Sequence, residues 1–215
     1  MLEDVRFRPI SPELLVDEVA ERVAGRPAGA WARVAVDGAP PADPAALADA
    51  LAEALRLRGR SVLRVSAGDF LRPASLRFER GREDPDARYD DWLDVGGLRR
   101  EVLDPLEAGG TGRVLPTLWN AETDRASRAE YVALAEGGVL VLDGTLLLGR
   151  GLPFEHTVHL WISAPALARR TPAAEAWMLP AFARYDAEAR PLHVADTGVR
   201  VDDPARPAVL DDSPV

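Results

Sequence analysis

GVLVLDG (138–144) decides the fold. Val139, Leu140, Val141 and Leu142 form an unbroken apolar run that ends in Asp143-Gly144, with no polar alternation. A central parallel strand buried on both faces has this pattern. ARVAVDG (32–38) also carries an apolar run and ends in Asp37-Gly38. Working outward, SVLRVSA (61–67) and HTVHLWIS (156–163) read as further strands, and HVADTGVRVDDP (193–204) holds a last short one. Residues 44–58 place Leu47, Leu51, Ala54 and Leu55 on one helical face. Helices are also expected over 98–106, 125–136 and 165–189, the last broken near Pro172 and Pro180. Upstream, 11–25 reads as a helix with Ser11 as N-cap, Pro12 in the first position and Gly25 at the end. The alternation of strand and helix predicts an α/β fold, a parallel central sheet with helices on both faces. The expected division is a helical extension (1–30), one domain (31–203) and a tail (204–215), frayed from Asp203 onward.

Composition narrows the chemistry. At 215 residues the chain is long enough for one domain with a full core. Its net charge of -9 argues against nucleic acid and anionic membranes as partners, since both require a basic face. There is no Cys, which excludes disulfides, thiol nucleophiles and thiolate metal sites. There is no Lys either: all 26 basic residues are Arg, so Schiff-base chemistry and a phosphate-binding Lys are excluded. Such an Ala- and Arg-rich composition suggests a high-GC bacterial source. No apolar run approaches the ~20 residues of a membrane span, and no signal pattern opens the chain, so a cytoplasmic protein is expected. His156 and His159, three apart on one strand, point to opposite faces and read as structural. No metal site is expected. The acidic run Asp84, Asp86, Asp90, Asp91 and Asp94 lacks Ca²⁺-loop spacing and reads as a solvated loop.

Ligands of such sheets bind at the C-terminal ends of the strands. The loops that matter therefore follow residues 37, 66, 143 and 162. Those loops resemble the uridine kinase family of P-loop phosphotransferases. The resemblance rests on AVDG (35–38), VSAGDFLRP (65–73), EDPDARYDDW (83–92), VLVLDG (139–144), LARR (167–170) and HVADTGVRVDDP (193–204), in that order. It implies a P-loop NTPase-like three-layer sandwich with a small lid, and a nucleoside-like small-molecule ligand. It also implies Asp143 as an acidic metal-binding residue, for which capping the next turn is the equal alternative. Arg169 and Arg170 fall at the start of the lid. They match its first Arg pair, but Thr171 and Pro172 follow, and covering a helix end is the simpler role.

The phosphate loop departs from the family pattern. A functional loop, G-x-x-x-x-G-K-[ST], offers consecutive amides, a Lys and a metal-holding hydroxyl. Here Gly38 is followed by Ala39, Pro40, Pro41 and Ala42; Asp43 stands where the second Gly belongs, Pro44 replaces Lys, and Ala45 replaces Ser/Thr. Asp43 and Pro44 instead suit an N-cap and a first helical residue. The position of the family's catalytic Asp carries Gly68, with Asp69 beside it as a substitute base or a turn cap. Arg72, Tyr89, Trp92 and Trp119 are the candidates to line a substrate cleft with Asp69 and Asp143. The expectation is a kinase-fold protein without conventional ATP-dependent transfer and without a cofactor. Two alternatives are an active nucleoside or small-alcohol kinase using ATP and Mg²⁺ atypically, and an ATP-independent enzyme reusing the cleft. A protein partner or a second copy of the chain is a further option.

Overall fold

A computed structural model describes residues 6–27 and 29–211. In chain order the elements are β1 (Phe7–Pro9), α1 (Pro12–Ala24), β2 (Ala32–Gly38), α2 (Pro44–Leu57), β3 (Val62–Ser66), α3 (Ala74–Arg77), α4 (Pro85–Asp90) and α5 (Val95–Leu98). Four two-residue strands follow: β4 (Arg113–Val114), β5 (Trp119–Asn120), β6 (Arg125–Ala126) and β7 (Val132–Ala133). The chain closes with β8 (Val139–Gly144), β9 (His156–Trp161), α6 (Ala164–Arg170), α7 (Leu179–Glu188), α8 (Pro191–Val194), β10 (Thr197–Arg200) and β11 (Ala208–Leu210).

The main sheet has the order β1-β11-β10-β9-β2-β8-β3. From β10 to β3 every pair is parallel. The two Asp-Gly strands lie side by side, with Val36 opposite Asp143 and Asp37 opposite Gly144. Both are buried along their whole length, Arg33 of β2 being paired with Glu155. Alternation within β8 divides the core. Val139 and Val141 pack with α1 and α2, whereas Leu140 and Leu142 pack with Phe70, Leu98, Val102 and Leu103.

Helix ends follow the expected local chemistry. Ser11 Oγ accepts the Leu14 amide at 3.2 Å. Pro180 sits in the first turn of α7, where its missing N–H costs nothing. The 98–106 helix begins earlier than expected, because Asp94 caps it through the Gly97 amide at 2.8 Å. It continues as a π turn (Arg99–Leu103) and a 3₁₀ turn (Asp104–Leu106).

Two expectations are corrected. Residues 125–136 are not a helix; they contain β6 and β7, paired antiparallel with β5 and β4. The cause is an Asx turn: Asn120 Oδ1 accepts the amides of Glu122 (3.1 Å) and Thr123 (2.8 Å) and folds the chain into a hairpin. Nor are residues 203–211 frayed, while 212–215 lie outside the described residues. β11 pairs antiparallel with both β10 and β1, so segments from the two ends complete the edge of the same sheet.

Candidate functional site

The parallel strands bring Gly38, Asp69 and Asp143 to the C-terminal edge of the sheet. After β2 the chain makes a 3₁₀ turn (Pro40–Ala42), and Asp43 then adopts a left-handed backbone, φ 54°. Its Oδ1 accepts the Ala46 amide at 3.1 Å, and Pro44 begins α2. The sequence-predicted cap is in place, and a carboxylate occupies the positive end of that helix. Gly38 is closely packed: a Cβ there would lie 3.0 Å from Leu160 Cβ. Arg170 donates to the carbonyls of Pro41 and Val201, the latter at 3.1 Å. It therefore straps the loop to the end of β10. Arg169 is exposed.

Asp143, at the end of β8, is almost buried and already partnered. Arg64 Nη2 donates to its Oδ1 at 3.0 Å, and Ser66 Oγ donates to Oδ2 at 3.2 Å. Asp69 lies nearby in the 3₁₀ turn Ala67–Phe70. Burial, and secondly the charge of Asp143, hold the Asp69 carboxyl above the usual carboxylate range. A carboxyl raised on folding adds stability only while protonated, and that contribution fades as pH rises through its folded-state value. Asp69→Asn should therefore melt above the parent protein near pH 7, with the gap closing below about pH 4, where free Asp carboxyls are protonated. Melting curves at the two pH values check this; a gap that is constant with pH would refute it.

The polar excursion after β3 folds back over this edge. The Arg72 amide bonds the Trp92 carbonyl at 2.8 Å, and the Leu118 amide bonds the Asp69 carbonyl at 3.0 Å. Trp92 packs between Phe78 and Trp177, with ring centroids 5.7 and 5.6 Å away. Trp177 belongs to the 3₁₀ helix Ala173–Met178, so the segment that follows α6 docks on this excursion. Tyr89 packs against Tyr185 at 6.3 Å. Trp119 follows Leu118 in the small hairpin beside the Asp69 turn and donates through Nε1 to Asp124 at 3.1 Å. The acidic run is put to use: Asp84 caps α4 through the Ala87 amide, while Asp86 and Asp90 hold Arg184.

Two features here were not singled out by sequence reasoning. Asp37 is fully buried, with Oδ1 accepting the Leu147 amide at 2.9 Å. Its Oδ2 accepts His159 Nδ1 at 2.7 Å and the Tyr185 hydroxyl at 2.8 Å. Tyr185 in turn accepts the Leu148 amide at 2.8 Å, and burial pushes its hydroxyl pKa upward. These bonds pin the turn after β8, in which Leu146 takes the left-handed φ of 60°. Such strain in a bulky residue persists only when its surroundings fix it. The available signal was a lone acid at the end of a strand buried on both faces, which obliges it to have partners. The second feature is Arg88, hidden among acidic neighbours in the sequence. Its Nη2 donates to Thr145 Oγ1 at 2.8 Å, two residues beyond Asp143.

The fold, whose parallel strands run β3-β8-β2-β9-β10, is shared with solved structures. This is the fold of the P-loop kinases. A protein from Bacillus stearothermophilus named as a possible uridine kinase superposes with a TM-score of 0.67 at 19% identity, covering 84% of this chain and 95% of that one. A Silicibacter sp. TM1040 protein, provisionally named a fructose transport system kinase, gives 0.60 at 23% identity, covering 86% and 95%. No protein-family profile matches the chain, and no curated protein matches it. No described helix is long and apolar enough to cross a membrane.

Proposed function

We propose that this protein is a small-molecule-binding relative of the nucleoside and sugar kinases that does not carry out conventional ATP-dependent phosphoryl transfer. The observation that carries this reading is the loop 38–45, where the Asp43 carboxylate takes the Ala46 amide at the helix end that would otherwise meet phosphate. Pro40, Pro41 and Pro44 remove amide donors, and neither Lys nor a metal-holding hydroxyl is present. Arg170 bonds the loop's own Pro41 carbonyl, so its hydrogen bonds serve the loop and the neighbouring strand. Asp143 is likewise occupied by Arg64 and Ser66. These residues do not fit Mg-ATP, and no step is derived through it. What remains is the edge formed by Asp69, Arg72, Tyr89 and Trp92, which supports a surviving ligand site for a nucleoside-like or sugar-like molecule.

The raised carboxyl of Asp69 favours a second reading, in which the protein is an active kinase or an ATP-independent enzyme that uses Asp69 as a proton acceptor. Calorimetry distinguishes the first reading from an active kinase. Titration with Mg-ATP to millimolar concentration should give no saturable heat. Micromolar binding that disappears on substitution within 38–45 would restore the kinase reading.

A further inference from the structure

The excursion over the candidate cleft buries positive charge without neutralising it. Arg88 makes one side-chain hydrogen bond, to the neutral Thr145 hydroxyl at 2.8 Å. Its Nε is buried and has no acceptor among the described residues. Trp92 Nε1, four residues on, is also buried without an acceptor. The Arg88 guanidinium lies 5.0 Å from the centre of the Trp92 ring, so the two unmet donors sit together. The surrounding charges are of the same sign. Arg77 also lies over the Trp92 ring, 5.2 Å from its centre, and its ion-pair partner, Asp124, is 3.9 Å away. Among the described residues Arg150 hydrogen-bonds the carbonyls of Leu146 and Tyr89 and lies over the Tyr89 ring, 5.3 Å from its centre. Burial first, and then Arg150 and Arg77, bring the Arg88 pKa down to about 10.

Buried N–H groups without acceptors and a buried cation without a counter-ion are costly arrangements, and such exceptions call for a physical cause. A bound anion supplies one. We propose that Arg88, with Trp92 Nε1 and the neighbouring Arg150, recognises the carboxylate or phosphate of a small organic ligand, which makes the ligand an acid or a phosphate monoester and not a neutral nucleoside. This rests on the reading of the cleft as a small-molecule site and specifies its ligand class. A planar guanidinium fork suits both oxyanions. Thr145 holds the fork from behind, on the same turn that Asp37 and Tyr185 pin.

The test is the melting temperature of the full chain, at constant ionic strength set with chloride. The probes are inorganic phosphate, gluconate against glucose, and ribose 5-phosphate against ribose. The acid or phosphate member should raise Tm by several degrees and its neutral counterpart should not, because only ligands of the folded state stabilise it. The more effective member separates a carboxylate site from a phosphate site. Arg88→Met should abolish the response without lowering the Tm of the free protein, since it removes an uncompensated charge. A purely structural stacking role predicts the reverse, a lower Tm with the response unchanged. Trp92→Phe gives an independent check and should weaken binding of the effective anion about fivefold, the value of one neutral donor. Equal responses to charged and neutral members, a response that survives Arg88→Met, or no response to any anion would overturn the proposal. Mg-ATP reproducing the Arg88-dependent shift would also overturn it. Uridine or ribose binding that depends on Asp69 but not on Arg88 would overturn the anion site while leaving the small-molecule cleft intact.

Discussion

Asp37→Ala should cost about 4 kcal/mol or more, near the upper end for a single substitution. The carboxylate accepts from the Leu147 amide, His159 Nδ1 and the Tyr185 hydroxyl, and it is fully buried. Truncation leaves these donors without an acceptor in a water-free site, at roughly 1–3 kcal/mol each. It also frees the turn that holds Leu146 at φ 60°. Thr145 lies in that turn, so the anchor of Arg88 loosens with it. For a chain of this size the loss corresponds to a fall in Tm of about 10 °C or more. Asp37→Asn should be milder, because its amide oxygen still accepts the Leu147 amide. Urea and thermal unfolding measure both variants; an Asp37→Ala protein within about 1 kcal/mol of the parent would show that the network is not cooperative.

The second large effect is expected at Glu155. Its Oε1 accepts from Arg33 Nη2 at 2.6 Å, and Oε2 accepts from Arg33 Nε at 3.1 Å and from the Arg33 amide at 2.7 Å. The Arg33 side chain is only 8% exposed and Glu155 27% exposed, so the pair sits at the edge of the core. Removing Glu155 leaves a nearly buried guanidinium with the Leu103 carbonyl at 3.1 Å and the more exposed Glu107 at 3.6 Å. Breaking such a pair from one side typically costs about 3 kcal/mol, whereas replacing both partners with apolar residues is close to neutral. Glu155→Ala should therefore be markedly destabilised, and Arg33→Met with Glu155→Leu should recover most of the loss. A double-mutant cycle in urea checks this; additive losses would mean that the two side chains act independently.

Much of the fold was legible because it is local or periodic. The apolar runs of 32–38 and 138–144 require burial on both faces, and adjacent central parallel strands satisfy that requirement. Asp43-Pro44 specifies a capped helix start from residue chemistry alone, and the Ala46 amide is where that chemistry places it. Ser11-Pro12 and Pro180 marked helix starts on the same grounds. Segment 125–136 was misread because its helix-forming composition was outweighed by the Asx turn at Asn120, which commits the chain to hairpin pairing before a helix can begin. The pairing of β11 with β1 was invisible, since three-residue edge strands carry no period and depend on segments some 200 positions apart.

Composition determined that no thiol and no lysine could enter this protein's chemistry, and Pro40, Pro41 and Pro44 determined which backbone amides are missing from loop 38–45. Tertiary structure alone decided where charge became trapped. Asp37, His159 and Tyr185 are separated by over a hundred positions between the first and second and meet only because β2 and β9 are neighbours and α7 packs across their ends. Arg88 lies in an acidic stretch that suggests ready neutralisation, yet the carboxylates nearest in sequence turn to helix caps and to Arg184, and Arg88 turns inward onto Trp92. Sequence fixes which charges a chain carries; burial and the direction of each side chain, which follow from packing, decide which of them remain uncompensated.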